Sequence, residues 1–264
     1  MADALTWAGE TPVERAARPR LWWEVAIVLG LSLGQSAIYS IVTIIDRATQ
    51  STPLADQKAE VNPAQSSREV FDFLYQVLGN LFPLFAVALV IYLLWQPQRS
   101  GFRRIGFDLT RPARDLGGGA LLFLVIGIPG ILFYALTRLL GITVTVEAST
   151  LDAHWWTVPV LILAALRAAL QEEVIIVGYL FTRLRQLGWG TWSIILGAAV
   201  LRGSYHLYQG FGPFVGNAIM GIVFGWCYTR WGRVMPLVVA HTIIDIVSFV
   251  GYPLAVALFP HIFA

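Results

Sequence analysis

The chain has 264 residues, 57% of them hydrophobic and 13% charged, with a formal net charge of +2. Soluble domains carry about 25% charged residues, so this chain lacks the polar groups to coat a water-facing globule, and its apolar content excludes intrinsic disorder. The ten Trp and fifteen Phe suit an apolar medium with aromatic belts at its edges; the dispersed basic residues form no stripe for nucleic acid.

Composition therefore predicts an all-α, polytopic transmembrane helical bundle, with membrane lipid as its surroundings. A polar tail covers 1–20, with Arg15, Arg18 and Arg20 ahead of the first apolar run. Spanning the hydrocarbon core takes about 20 mostly apolar residues per helix. That ruler gives runs at 21–45, 71–95, 116–140, 158–180, 191–207, 214–231 and 235–260. The last is long enough to break near Gly251-Tyr252-Pro253, since proline removes a helix hydrogen bond. The expected count is seven or eight helices.

Between the runs, 48–69 is rich in Ser, Pro, Gln, Asp and Glu and reads as a flexible exterior linker. The loop 96–115 holds Arg99, Arg103, Arg104, Arg111 and Arg114, with Phe102, Ile105 and Phe107 among them, as an interfacial stretch would. Arg183, Arg185, Arg230 and Arg233 follow later runs, whereas 142–156 has no Lys or Arg. Positive residues mark the cytoplasmic side, which puts the N-terminus inside. The expected setting is the bacterial cytoplasmic membrane. Cys227, the one cysteine, lies in an apolar run and reads as a small buried thiol. Gly216, Gly221 and Gly225 suit close helix packing in lipid.

Charge inside the apolar runs is the informative feature, because each such group costs roughly 2.5–3.5 kcal/mol to insert. The fourth run carries Arg167 and Gln171-Glu172-Glu173, the fifth Arg202 and His206, the seventh His241 and Asp245. Arg202 and His206 are four apart, as are His241 and Asp245, so each pair shares a helix face. Glu172 and Glu173 diverge by about 100° on an α-helix, so one faces a common centre and the other a different partner. Such a set could position a water, take its proton and stabilise an oxyanion. It is also the nitrogen and oxygen ligand set of a zinc site.

These residues resemble the motifs of the CAAX prenyl protease and bacteriocin-processing (CPBP, or Abi) family of intramembrane proteases. That family carries Glu-Glu-x-x-x-Arg, then Phe-x-x-x-His, then His-x-x-x-Asn or Asp. Here the counterparts are Glu172-Glu173-Val-Ile-Ile-Val177 with a Gly178-Tyr179-Leu180 tail, Arg202-Gly-Ser-Tyr-His206 and His241-Thr-Ile-Ile-Asp245. The resemblance divides the chain into the tail 1–20, an N-terminal transmembrane part 21–155 containing the linker 48–69, and a protease core 156–260.

The resemblance implies an endopeptidase acting on a peptide or protein substrate at the membrane, including a prenylated CAAX type. Glu172 with His206 would activate water, and His241 with Asp245 would stabilise the oxyanion or join in metal binding. A zinc enzyme would use Glu172, His206, His241 and Asp245 as ligands; a metal-independent glutamate mechanism is equally compatible with the motifs. Two departures stand out: Val177 replaces the family's arginine and Arg202 its phenylalanine. Arg202 would then supply the cation for Glu173 from the adjacent helix, both residues supporting the site. Two other readings accompany this one, a non-catalytic scaffold or immunity-type relative and a proton-coupled transporter. Oligomeric state and substrate identity are left open by the sequence.

Overall fold

A computed structural model of the chain describes residues 10–251 and 254. Without water, backbone polar groups must be satisfied within the segment, so the apolar runs fold as helices. Helix α1 (Arg18–Gly30) and α2 (Leu33–Thr49) form a pair bent by 58°. At the bend the Ser32 hydroxyl donates to the Val28 carbonyl at 2.6 Å, an alternative partner to the next helical amide. Helices α3 (Glu69–Leu81) and α4 (Leu84–Leu93) meet at Pro83, and the short α5 (Gly101–Arg104) precedes the long α6 (Pro112–Leu139). Helix α7 (Thr157–Leu170) runs without a break into a π-helical segment, Gln171–Leu180, and then α8 (Phe181–Gln186). Helices α9 (Thr191–Ser204), α10 (Phe211–Trp231) and α11 (Met235–Ile246) complete the bundle, α11 continuing as a π turn, Val247–Gly251.

By length and composition, three described helices can cross a membrane: Glu69–Leu93, Pro112–Leu139 and Phe211–Trp231, with the bent α1–α2 pair a fourth. This is fewer than the seven or eight expected. The shortfall falls on the helices that carry the charge, together with the brevity of α9 (14 residues) and α11 (12 residues). The break expected at 251–253 sits at the edge of the described residues; the end of the last run at 260 and the tail beyond it lie outside them.

Among the described residues the architecture is helical except for one two-stranded parallel ribbon. Strand β1 (Lys58–Asn62) pairs with β2 (Thr145–Ser149), placing Lys58 opposite Thr145 and Asn62 opposite Ser149. The segment 48–69, expected to be a flexible linker, is therefore structured. Its residues find backbone partners in the distant loop, and Arg138 Nη1 secures both by donating to the Ala55 and Thr143 carbonyls at 2.9 and 2.7 Å. A strand of five residues with mixed polarity gives no run long enough to read from sequence.

The π-helical segment is the centre of the molecule: all ten of its residues are buried, and α4, α7, α9, α10 and α11 pack around it. Close approach of α9 and α10 needs glycine. A Cβ on Gly203 would lie 2.6 Å from the Phe214 carbonyl oxygen, and one on Gly221 would lie 3.0 Å from Ala199 Cα. Cys227 is buried, as expected.

Several arginines read as orientation signals are pinned internally. Arg104 holds Glu10 through Nε and Nη2, both at 2.7 Å. Arg183 Nε holds Glu24 of α1 at 2.7 Å, and Tyr179 Oη donates to the same oxygen at 3.0 Å. Arg233 binds Asp115 and Asp108, with Nη2 at 2.7 and 2.9 Å from them, fastening the loop after α5 to the start of α11. Burial opposes ionisation of Asp108, but hydrogen bonds from Thr110 and Arg233, with the arginine's charge, hold its carboxyl below the usual range. A lowered folded value contributes stability above the unfolded pKa of about 4, lost as pH falls through the folded one. Asp108→Asn should therefore lower the Tm in detergent at pH 7, and the difference from wild type should close only below about pH 4. A pH series of thermal scans checks this; a constant difference across the series would contradict it.

Candidate active site

The π-helix sets the geometry of the site. Its turns are wider than those of an α-helix, so successive side chains step through a smaller angle. Glu172 and Glu173, expected to face different partners, consequently both meet one guanidinium. Arg202 Nη1 donates to Glu173 Oε1 at 2.7 Å, and Nη2 lies 3.2 Å from Glu172 Oε2. Arg202 reaches them from the last turn of α9 and is 1% exposed; Glu173 is fully buried. The cation that Val177 cannot provide thus comes from the neighbouring helix. An ionised carboxylate in an apolar interior needs such a partner.

His241, buried in the second turn of α11, closes the cluster. Its Nδ1 lies 2.8 Å from Glu173 Oε1 and 3.1 Å from Arg202 Nη2. A guanidinium only donates and a carboxylate only accepts, so Nδ1 serves one of them at a time: protonated, it donates to Glu173 Oε1; unprotonated, it accepts from Arg202 Nη2. Nε2 then faces Asp245 Oδ2 at 3.5 Å, the two residues sharing a helix face as their spacing predicts.

His206 departs from the helical expectation. Helix α9 ends at Ser204, and the His206 amide donates to Gly203 across a tight turn at 2.9 Å. The imidazole nevertheless points at the cluster, with Nε2 4.0 Å from Glu172 Oε2. Neither of its ring nitrogens has a hydrogen-bond partner among the described residues, although both are buried. Such groups are normally satisfied by water or a ligand.

Tyr205 was not singled out by sequence. Its Oη donates to Glu172 Oε2 at 2.8 Å, and its carbonyl accepts from Ser40 Oγ of α2 at 2.9 Å. A tyrosine beside a motif residue carries no distinguishing signal when the chain is rich in interfacial aromatics. Arg167, one of the charges inside the fourth run, bonds neutral groups among the described residues: Asn80 Oδ1 at 3.3 Å from Nε and Gln171 Oε1 at 3.1 Å from Nη1.

Glu172, Glu173 and His241 could hold a metal ion, since one ligand atom from each lies within 4.8 Å of the others. This set differs from the four residues expected: Glu173 joins it, while His206 and Asp245 fall outside. Two carboxylates and an imidazole suit zinc by donor type. Arg202 already lies against both carboxylates, however, and a dication could use them together only by displacing that packed guanidinium.

Residues 154–247 match the family model described as Type II CAAX prenyl endopeptidase Rce1-like. All three motifs fall within that stretch. The chain matches no curated protein and no solved structure.

Proposed function

Since residues 154–247 form a domain of the CAAX prenyl protease (CPBP) family, we propose that the chain is an intramembrane endopeptidase. It hydrolyses a peptide bond in a membrane-associated substrate of CAAX type, lipidated near its C-terminus. The observation that carries this reading is the facing pair of Glu172 Oε2 and His206 Nε2 at 4.0 Å. That gap is too long for a direct hydrogen bond and suited to a water held by both.

In the mechanism we infer, Glu172 is the general base and His206 orients the attacking water. As the water oxygen bonds to the scissile carbonyl carbon, its proton passes to Glu172 Oε2. As the C–N bond breaks, that proton goes to the leaving amine. Tyr205 and Arg202 fix the Glu172 carboxylate so that it does not swing away. Asp245 and Glu173 hold His241 from either side of its ring, and the His241 imidazole, oriented by Asp245, forms the side that faces the developing oxyanion. Glu173 and Arg202 are positioning residues.

Arg202 fills the cation's place against both glutamates, and for that reason we read the chemistry as metal-independent. Dialysis against a chelator should leave kcat/KM unchanged. Loss of activity restored by zinc would contradict this part of the reading.

In a bilayer we place the charged helices α7–α8, α9 and α11 beside the apolar spans, with the N-terminus cytoplasmic. The arginine-rich connections support that orientation. The function itself is tested by incubating purified protein with lipidated and unlipidated peptides and comparing wild type with Glu172→Ala and His206→Ala. Cleavage of the lipidated peptide by wild type, lost in both variants, is expected. Equal activity in all three would remove the proposed site, and no cleavage by wild type would leave the scaffold reading.

A further inference from the structure

We propose that Arg167 is a specificity residue that receives a carboxylate of the peptide substrate, at a subsite beside the cluster of Glu172 and His206. This deepens the protease reading and rests on it.

The starting observation is a charge without a counter-ion. Arg167 lies in the last turn of α7, half-buried, in an otherwise apolar helix. Its two hydrogen bonds go to the side-chain amides of Asn80 and Gln171, and among the described residues no carboxylate lies within 4.0 Å of it. The arginines that are buried outright among the described residues are each matched to an acid, Arg104 to Glu10, Arg183 to Glu24, Arg202 to Glu173, and Arg233 to Asp115, whereas the half-buried Arg47 and Arg138, like Arg167, bond neutral oxygens. Buried charges are paired as a rule, because water is not there to solvate them. Glu172 and Asp245 are within electrostatic reach of Arg167, but Glu172 is already held by Arg202 and Tyr205 and Asp245 faces His241.

The second observation is space. Arg167 lines a cavity of about 530 Å³ together with Asn80, Gln76, Tyr75, Asn62 and Gln65. The cavity begins at the end of β1 and the following turn and reaches down α3 to the guanidinium. Asn80 is itself held, its Nδ2 donating to the Gln76 carbonyl at 2.8 Å, so its oxygen fixes Arg167 Nε. Nε and Nη1 are anchored to neutral amides while the residue lines the cavity, so a carboxylate entering there would meet a guanidinium that no acid neutralises at contact distance.

The third observation is position. Gln171, which Arg167 Nη1 contacts, immediately precedes Glu172, and five helical steps carry the chain from Arg167 to Glu172, about 7 Å along the axis. A peptide whose scissile carbonyl sits at Glu172 can therefore place a nearby carboxylate at Arg167. The planar guanidinium fork matches a carboxylate better than it matches any neutral group.

The test uses two dye-labelled lipidated peptides identical except at the C-terminus, one a free acid and the other a carboxamide. Their binding is measured on the full-length Glu172→Gln variant, which does not consume them, and on Glu172→Gln with Arg167→Gln. The acid should bind about 10–100-fold more tightly than the amide on the first, as a charge-assisted hydrogen bond allows, and equally on the second. On wild type the same ratio should appear in kcat/KM, mainly through KM. Equal binding of acid and amide to Glu172→Gln would overturn the subsite, and this comparison needs no change at Arg167. A preference that survives Arg167→Gln would overturn the assignment to that residue. Selective binding without any cleavage by wild type would instead overturn the protease reading and leave the subsite standing.

Discussion

Glu172→Gln should lower kcat/KM by about 10²–10⁴-fold, the usual contribution of a positioned general base, while leaving the thermal transition close to that of wild type. The substitution is isosteric and the amide oxygen can still accept from Tyr205 Oη, which now bonds the carboxylate at 2.8 Å. Arg202 keeps its shorter contact, the 2.7 Å bond to Glu173, so the buried ion pair persists. What is lost is the capacity of Oε2 to accept a proton opposite His206. Steady-state kinetics on a lipidated peptide, with a thermal scan in the same detergent, separate the two effects. Activity near that of wild type would remove Glu172 from the mechanism.

Arg202→Met should be the most destabilising single change in the site. It would leave Glu173, fully buried, with His241 as its remaining partner, and stranding one member of a buried ion pair costs about 3–5 kcal/mol. Adding Glu173→Gln should recover most of the loss, because the double variant buries no unmatched charge there. Exchanging the charges, Glu173→Arg with Arg202→Glu, should rescue folding better than either single change. It should not rescue activity, since Arg202 also faces Glu172 at 3.2 Å and the exchange puts a carboxylate in that place. Unfolding in denaturing detergent measures all six proteins, the wild type included. Stability of Arg202→Met equal to wild type, or no rescue by either double variant, would show that the pair is not what holds this part of the core.

Much of the site was legible because charge is scarce in the apolar runs. Sorting ionisable residues by run singles out seven, Arg167, Glu172, Glu173, Arg202, His206, His241 and Asp245, of which Glu172, Glu173, Arg202 and His241 form one cluster of hydrogen bonds and ion pairs from three elements. The loss of arginine at Val177 and its gain at Arg202 likewise anticipates the contact with Glu173. The helical spacing of His241 and Asp245 carries over because α11 spans both.

The rest depended on backbone departures that residue spacing does not report. A π-helix at Gln171–Leu180 turns Glu172 and Glu173 toward one centre, where ideal α-helical geometry separates them. Helix α9 ends before His206, so the four-residue spacing from Arg202 describes a turn rather than a helix face. Tyr205, Asn80 and Glu24 act through partners distant in sequence, and a polar residue among aromatics or near a helix end gives no hint of such a partner. The ribbon of β1 and β2 joins segments 89 residues apart at Lys58 and Glu147, a pairing that only tertiary structure reveals.

The most direct measurement of the central claim, that Glu172 and His206 act on one water, is a double-mutant cycle in kcat/KM. Wild type, Glu172→Gln, His206→Gln and the double variant are compared on one lipidated peptide. Residues that serve a single step as a unit are strongly non-additive. The double variant should therefore be about as slow as the slower single one. Losses that multiply, or a His206→Gln enzyme as fast as wild type, would contradict the shared water.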